Sequence, residues 1–141
     1  AGVVNGVVNA SGDLTTWGTQ ANGEKWTIGI VNPVHVNSIF SYMNISGLSV
    51  ATSGNYEKFI MIDGKKYSHT INPKTGLPIT GIRSVTILST NAEIADAMAT
   101  PVMIMGIGAG IDMINQIKDI EAIVIDDQNQ LFTSDNIKIT R

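Results

Sequence analysis

The stretch from Ser84 to Gly106, SVTILSTNAEIADAMATPVMIMG, changes its period within a few residues, and the rest of the chain has to be arranged around that change. Val85 and Ile87 alternate with their neighbours as the inward positions of a half-buried strand do. The alternation then stops. Thr90 stands three residues before Glu93, the spacing of a capping box, so a helix is expected to start near Asn91. Within that helix Asp96 and Thr100 are four residues apart, which sets a carboxylate and a hydroxyl side by side on one face. Two hard oxygens so placed suit Mg²⁺ or Ca²⁺. The same pair is common on helices and usually means a solvated face. Thr100-Pro101 also has the form of a fresh helix start, with threonine as cap and proline in the first turn. Spacing leaves these readings open.

With 141 residues the chain can bury one real core, and a single domain is expected. The formal charge of −3, with nine basic residues that form no run, leaves no electrostatic footprint for nucleic acid or an anionic membrane surface. Cysteine is absent, which excludes disulfides, thiolate metal sites and a cysteine nucleophile and leaves the redox compartment open. No apolar run approaches the roughly 20 residues needed to span a bilayer. The chain opens directly in an apolar stretch, AGVVNGVVNASGD, without an initiator methionine, and is expected to be part of something longer.

Val3 to Asn9 reads as a strand, and Ala10-Ser11-Gly12-Asp13 as either a plain turn or a point of close backbone approach. Lys25 to Val31 alternates strongly and is a strand ended by Asn32-Pro33; His35 follows on an irregular segment and is assigned no role. Ile45 to Ser53 reads as one further strand. Asp63-Gly64 favours a type I′ turn and joins Lys58–Ile62 to Lys65–His69 as a hairpin. That hairpin delivers His69 into a stiff loop from Thr70 to Pro78, a position suited to chemistry and equally to a structural hydrogen bond. Past the helix, Gly106 and Gly108 break the pattern, and Ile111, Ile114 and Ile117 sit at helical spacing. Glu121–Ile125 and Leu131–Thr133 form a second hairpin around Asp126 to Gln130. The expected fold class is α+β, a mainly antiparallel sheet with helices packed on one face.

Four segments in fixed order, VNASGD from Val8, ATSGNY from Ala51, SHTINPKTGLP from Ser68 and ADAMAT from Ala95, resemble the FAD:protein FMN transferase family (ApbE, flavin transferase). The resemblance covers nearly the whole chain and corresponds to the C-terminal half of the family's catalytic unit. It implies a Mg²⁺-dependent enzyme that cleaves FAD, transfers the FMN moiety to a threonine or serine hydroxyl of a target flavoprotein, and releases AMP. Two alternatives share its site: Mg²⁺-dependent hydrolysis of FAD to FMN and AMP, and a flavin-binding module without turnover. The resemblance further implies export, often with a lipid anchor at the outer face of the bacterial inner membrane, facing the periplasm.

Carried onto this chain, the resemblance makes Asp96 and Thr100 ligands of Mg²⁺. It sets His69 beside the reacting phosphate as the base and Ile71 against FAD through its backbone. Thr52, Ser53 and Gly54 would line the same pocket, with the ASGD turn in the scaffold. Histidine suits the role, because its side chain exchanges a proton in the physiological range. There are also departures. Ser11 stands where the family has its second turn glycine. The family's upstream half, with further flavin contacts and another metal ligand, is absent from this chain. Pro101 is expected to kink the helix and to deprive the Ala97 carbonyl of its amide partner.

Overall fold

The computed structural model describes residues 2–31, 39–55 and 59–137, so Asn32-Pro33, His35, Tyr56 and Lys58 lie outside the described residues. In chain order the elements are β1 (Gly6–Ala10), β2 (Asp13–Trp17), β3 (Trp26–Val31), β4 (Ile39–Ile45), β5 (Ser49–Gly54), β6 (Phe59–Ile62) and β7 (Lys65–Ser68). Then come β8 (Ile82–Ser89), α1 (Ala92–Met105), α2 (Ile107–Asn115), β9 (Ile120–Asp126) and β10 (Leu131–Thr133). Six strands form one antiparallel sheet in the order β1-β2-β5-β8-β9-β10, while β3–β4 and β6–β7 are separate two-stranded sheets. The α+β class with both helices on one face is what the sequence led one to expect.

β8 is the centre of the large sheet, and it is not half-buried. Every residue in it except Arg83 is buried. Val85 and Ile87 face α1 and α2, in a core with Ala51, Ala95, Ala99, Val102, Ile114, Ala122 and Val124. Leu88 points the other way and packs with Val50 and Ile123 against Ile30 of β3 and Ile45 of β4. The second layer, which no local pattern announces, is what turns a one-faced strand into a two-faced one. At about 1.5–3 kcal/mol for each fully buried Val or Ile side chain, both layers contribute heavily to stability.

Several boundaries differ from expectation. The stretch Ile45 to Ser53 is two strands, because Gly47, at φ 69°, turns the chain between β4 and β5. β1 begins at Gly6, later than Val3, and β2 was not expected at all, although Thr15 and Thr16 are β-branched and Trp17 is aromatic. The ASGD segment is the β1–β2 turn, with Ser11 at φ 57° and Gly12 at φ 114° and the Gly12 amide donating to Asn9 Oδ1 at 2.9 Å. Asp63 (φ 49°) and Gly64 (φ 74°) make the expected hairpin turn between β6 and β7.

α1 is capped by Asn91 and not by Thr90. Asn91 is extended and its Oδ1 accepts from the Ile94 amide at 3.2 Å. The expected capping box does not form: with Asn91 as the cap its third helical residue is Ile94, which has no acceptor, and the Asn91 amide donates instead to Ser89 Oγ at 3.2 Å. α1 continues through Pro101 to Met105, so Thr100 is an interior residue and does not open a second helix. Gly106, at φ 87°, makes the break, and Gly108 lies inside α2 instead of ending a helix.

The two glycines of α2 separate propensity from packing. A Cβ on Gly108 would meet nothing within 4 Å, whereas one on Gly110 would lie 2.8 Å from Val102 Cγ1 and 3.1 Å from the Val102 carbonyl oxygen. Gly108→Ala should therefore stabilise the protein by about 0.5–1 kcal/mol through helix propensity. Gly110→Ala should destabilise it by about 1–3 kcal/mol, since Val102 is fully buried and its backbone cannot move aside. Urea denaturation of both variants checks the opposite signs.

Candidate functional site

α1 presents its candidate site residues from the flank of its buried stripe. Ala95, Ala99, Val102 and Met103 face the sheet, and at 3.6 residues per turn Asp96 and Thr100 stand beside them, both exposed. Among the described residues Asp96 has no ion-pair partner; Lys118–Asp119, at 3.9 Å, is a surface pair elsewhere. Pro101 has no N–H, so the carbonyl of Ala97, four residues earlier, loses its helical partner; Ala97 is exposed, and water can reach that oxygen. The donor chemistry fits a hard cation as part of its shell: a carboxylate and a hydroxyl one turn apart, both oxygen. Among the described residues there is no group of three or more His, Cys, Asp or Glu that could hold a metal. The pair would supply two ligands and leave the others to different groups.

His69 follows directly on β7 and is exposed. The loop after it closes on itself. Ile71 and Pro78 form an antiparallel bridge, the Asn72 amide donates to Leu77 O at 2.9 Å, and the Gly76 amide donates to Asn72 O at 2.8 Å. Asn72 Oδ1 accepts from the Lys74 amide at 2.9 Å, and Gly76 is at φ 69°, a conformation that glycine adopts without strain. The loop returns to the core at Ile79, which is buried beneath the helices, and its amide donates to Thr70 O at 3.0 Å. Ile71 is 48 % exposed.

β5 distributes its three candidates over two faces. Thr52 pairs in register with Thr86, and their hydroxyls are 2.9 Å apart on the side covered by β3–β4. There they line a cavity of about 90 Å³ with Leu14, Ile28 and Val50. The Thr52 amide donates to Asp13 Oδ1 at 3.4 Å, which ties the ASGD turn to β5. Ser53, one residue on, lies on the opposite face, the one that Ala51 shares with α1. Gly54 is buried at the end of the strand. The fold thus brings Asp96 beside Thr100 and His69 close to Ile71 along the chain, and it keeps Ser53 on the helix side while turning Thr52 away from it.

Two residues that the sequence placed inside motifs without giving them a role join here. Asn55 Oδ1 accepts from Ser68 Oγ at 2.5 Å, Asn55 Nδ2 donates to Ile82 O at 2.8 Å, and the Asn55 amide donates to Arg83 O at 2.9 Å. Ser68 Oγ also accepts from the Thr70 amide at 3.0 Å. Their signal in the sequence was position alone, a polar residue at the end of one strand and a hydroxyl just before the histidine.

This arrangement has known relatives. The sequence model of the ApbE family matches residues 1–124. The chain is 33 % identical over 141 residues to an FAD:protein FMN transferase of Vibrio cholerae, covering 97 % of this chain and 42 % of the relative. It is 35 % identical over 107 residues to one of Salmonella typhimurium, covering 74 % of this chain and 31 % of the relative. Among solved structures, the ApbE protein of Thermotoga maritima superposes with a TM-score of 0.82 at 28 % identity, over 93 % of this chain and 43 % of that one. The flavin transferase ApbE of Vibrio cholerae gives 0.75 at 31 % identity, over 91 % and 41 %. The chain spans less than half the length of these relatives. With most of its residues matched by the family's pattern and its sheet and helices matched by the family's structures, the chain belongs to the ApbE family.

Proposed function

We propose that this chain is part of a Mg²⁺-dependent FAD:protein FMN transferase, acting on a threonine or serine hydroxyl of a target flavoprotein and releasing AMP. The observation that carries the proposal is the match, along 97 % of the chain, to a protein named FAD:protein FMN transferase. The exposed Asp96–Thr100 pair and the closed loop after His69 agree with it.

In this reading the acceptor hydroxyl oxygen attacks the phosphorus on the FMN side of the FAD pyrophosphate. A new P–O bond forms, the bridging P–O bond breaks, and AMP departs with the bridging oxygen. Such a transfer depends mainly on positioning and on neutralising charge. A bound Mg²⁺ would supply charge neutralisation at the phosphate oxygens. Asp96 and Thr100 would hold it, His69 would take the proton of the attacking hydroxyl, and the backbone of Ile71 would bond the flavin nucleotide. Ser53 would lie on the helix side of the pocket, Gly54 at the end of its strand, and Thr52 would support the strand from behind. The proposal extends to an extracytoplasmic location at the outer face of the bacterial inner membrane, which protease accessibility in spheroplasts would test.

Incubation of the intact enzyme with FAD, Mg²⁺ and an acceptor peptide should yield a peptide heavier by the mass of an FMN group less water. Free FMN and AMP without an adduct would replace the transfer by hydrolysis, and FAD bound but unchanged would leave a binding module.

Asp96→Asn removes a formal charge at constant size, and turnover should fall at least about 10²-fold at fixed Mg²⁺ while the circular dichroism spectrum stays unchanged. Isothermal titration with Mg²⁺ should show weaker binding in parallel. Thr100→Ser should retain more activity than Thr100→Ala, since both lose the methyl group and only serine keeps the hydroxyl. Equal losses would assign the threonine to packing.

His69→Ala should lower the rate of FMN transfer by about 10²–10⁴-fold with a much smaller change in FAD affinity. Single-turnover kinetics against equilibrium FAD titration separates the two. A variant that binds FAD poorly yet turns over normally at saturation would remove His69 from the chemistry.

A further inference from the structure

His69 is exposed, yet the backbone on either side of it is held. Ser68 is 8 % exposed, and its hydroxyl makes two bonds at once, donating to Asn55 Oδ1 and accepting from the Thr70 amide. A hydroxyl has one proton to give and two lone pairs, so this uses its donor and one acceptor. Asn55 passes the restraint into the large sheet, because its other side-chain atom and its own amide are bonded to Ile82 O and Arg83 O at the start of β8. On the far side, the Thr70 carbonyl accepts from the amide of buried Ile79. His69 is therefore the one residue between two anchored neighbours. Among the described residues β6 and β7 pair with each other in a two-stranded sheet of their own, and no backbone ladder ties β7, which His69 follows, to the large sheet. The Asn55–Ser68 bond ties the end of β7 to the end of β5.

We propose that Asn55 and Ser68 are positioning residues for the reaction, fixing where the His69 imidazole sits without touching substrate. The inference rests on the reading of His69 as the base. A hydrogen bond that spans 13 residues of sequence joins a small hairpin to Asn55 at the end of β5, and Asn55 is in turn bonded to the start of β8. Loss of the Ser68 hydroxyl leaves Asn55 Oδ1 and the Thr70 amide without their partner together, and the segment bearing His69 is freed at its base. A displacement of about 1 Å in a catalytic group is enough to cost on the order of 10²-fold in rate.

The test is a double-mutant cycle in the intact enzyme with FAD, Mg²⁺ and acceptor peptide. Ser68→Ala should lower kcat by about 10- to 100-fold with KM for FAD changed less than about threefold, and Ser68→Thr, which keeps the hydroxyl, should recover most of the loss. The double variant Ser68→Ala/His69→Ala should be no slower than His69→Ala alone, since a residue that acts through His69 has nothing left to act upon. Losses that multiply in the double variant would overturn the proposal. So would a normal kcat in Ser68→Ala when His69→Ala is slow; a normal kcat in His69→Ala would instead sink the reading of the base, and this inference with it. Should Ser68→Ala fail to fold, amide hydrogen exchange in the unsubstituted protein decides the matter: slow exchange at Thr70 is expected, and exchange as fast as an unbonded exposed amide would show that the clamp does not hold.

Discussion

β8 is covered on both faces, and this double burial governs what its neighbours can be. On the helix side the layers meet through small residues, Ala51 and Ala122 from the sheet and Ala95 and Ala99 from α1, all essentially inaccessible. Small side chains let the helix axis approach the sheet closely, and the larger Val85, Ile87, Val102 and Val124 fill the space around them. On the other side Leu88 and Ile123 meet β3 and β4. Serine and threonine in β8 are tolerated in this dry setting because they find partners, as Thr86 does with Thr52. A substitution that enlarges either layer must displace the other.

The candidate site inherits its order from that core. α1 cannot rotate without moving Ala95, Ala99 and Val102 out of the core, so the direction in which Asp96 and Thr100 project is set by residues that do no chemistry. Pro101 sits one residue beyond the pair and is accommodated because the carbonyl it strands belongs to exposed Ala97. The loop that follows His69 is held differently, by Ile79 in the core and by the Ser68–Asn55 connection to the sheet. Two rigid attachments and a loop closed by its own backbone bonds place an exposed imidazole on a firm base.

The hairpin of β6 and β7 stands apart from this economy. Phe59, Ile60, Met61 and Ile62 are between 45 % and 61 % exposed, and a two-stranded hairpin in water has little stability of its own. The solved relatives have chains more than twice as long as the part matched here, which agrees with the expectation that this chain is one portion of a larger unit.

Local signals in the sequence determined the elements whose causes lie within a few residues. Asp63-Gly64 required a hairpin, KWTIGIV a strand, the run from Glu121 to Thr133 a second hairpin, and the SVTILSTNAEIAD stretch a strand passing into a helix, with its cap misplaced by one residue. A carboxylate and a hydroxyl at helical spacing, and a histidine ahead of a stiff loop, were legible for the same reason. Tertiary structure decided the rest: that β8 is covered twice, that Ile45 to Ser53 breaks at Gly47, that Thr52 and Ser53 look to opposite sides, and that Asn55 reaches Ser68. A turn or a helical period depends on φ, ψ and neighbours up to four residues away, whereas burial of a second face and a bond between strand ends depend on which distant segment arrives there, and that is settled only when the layers pack.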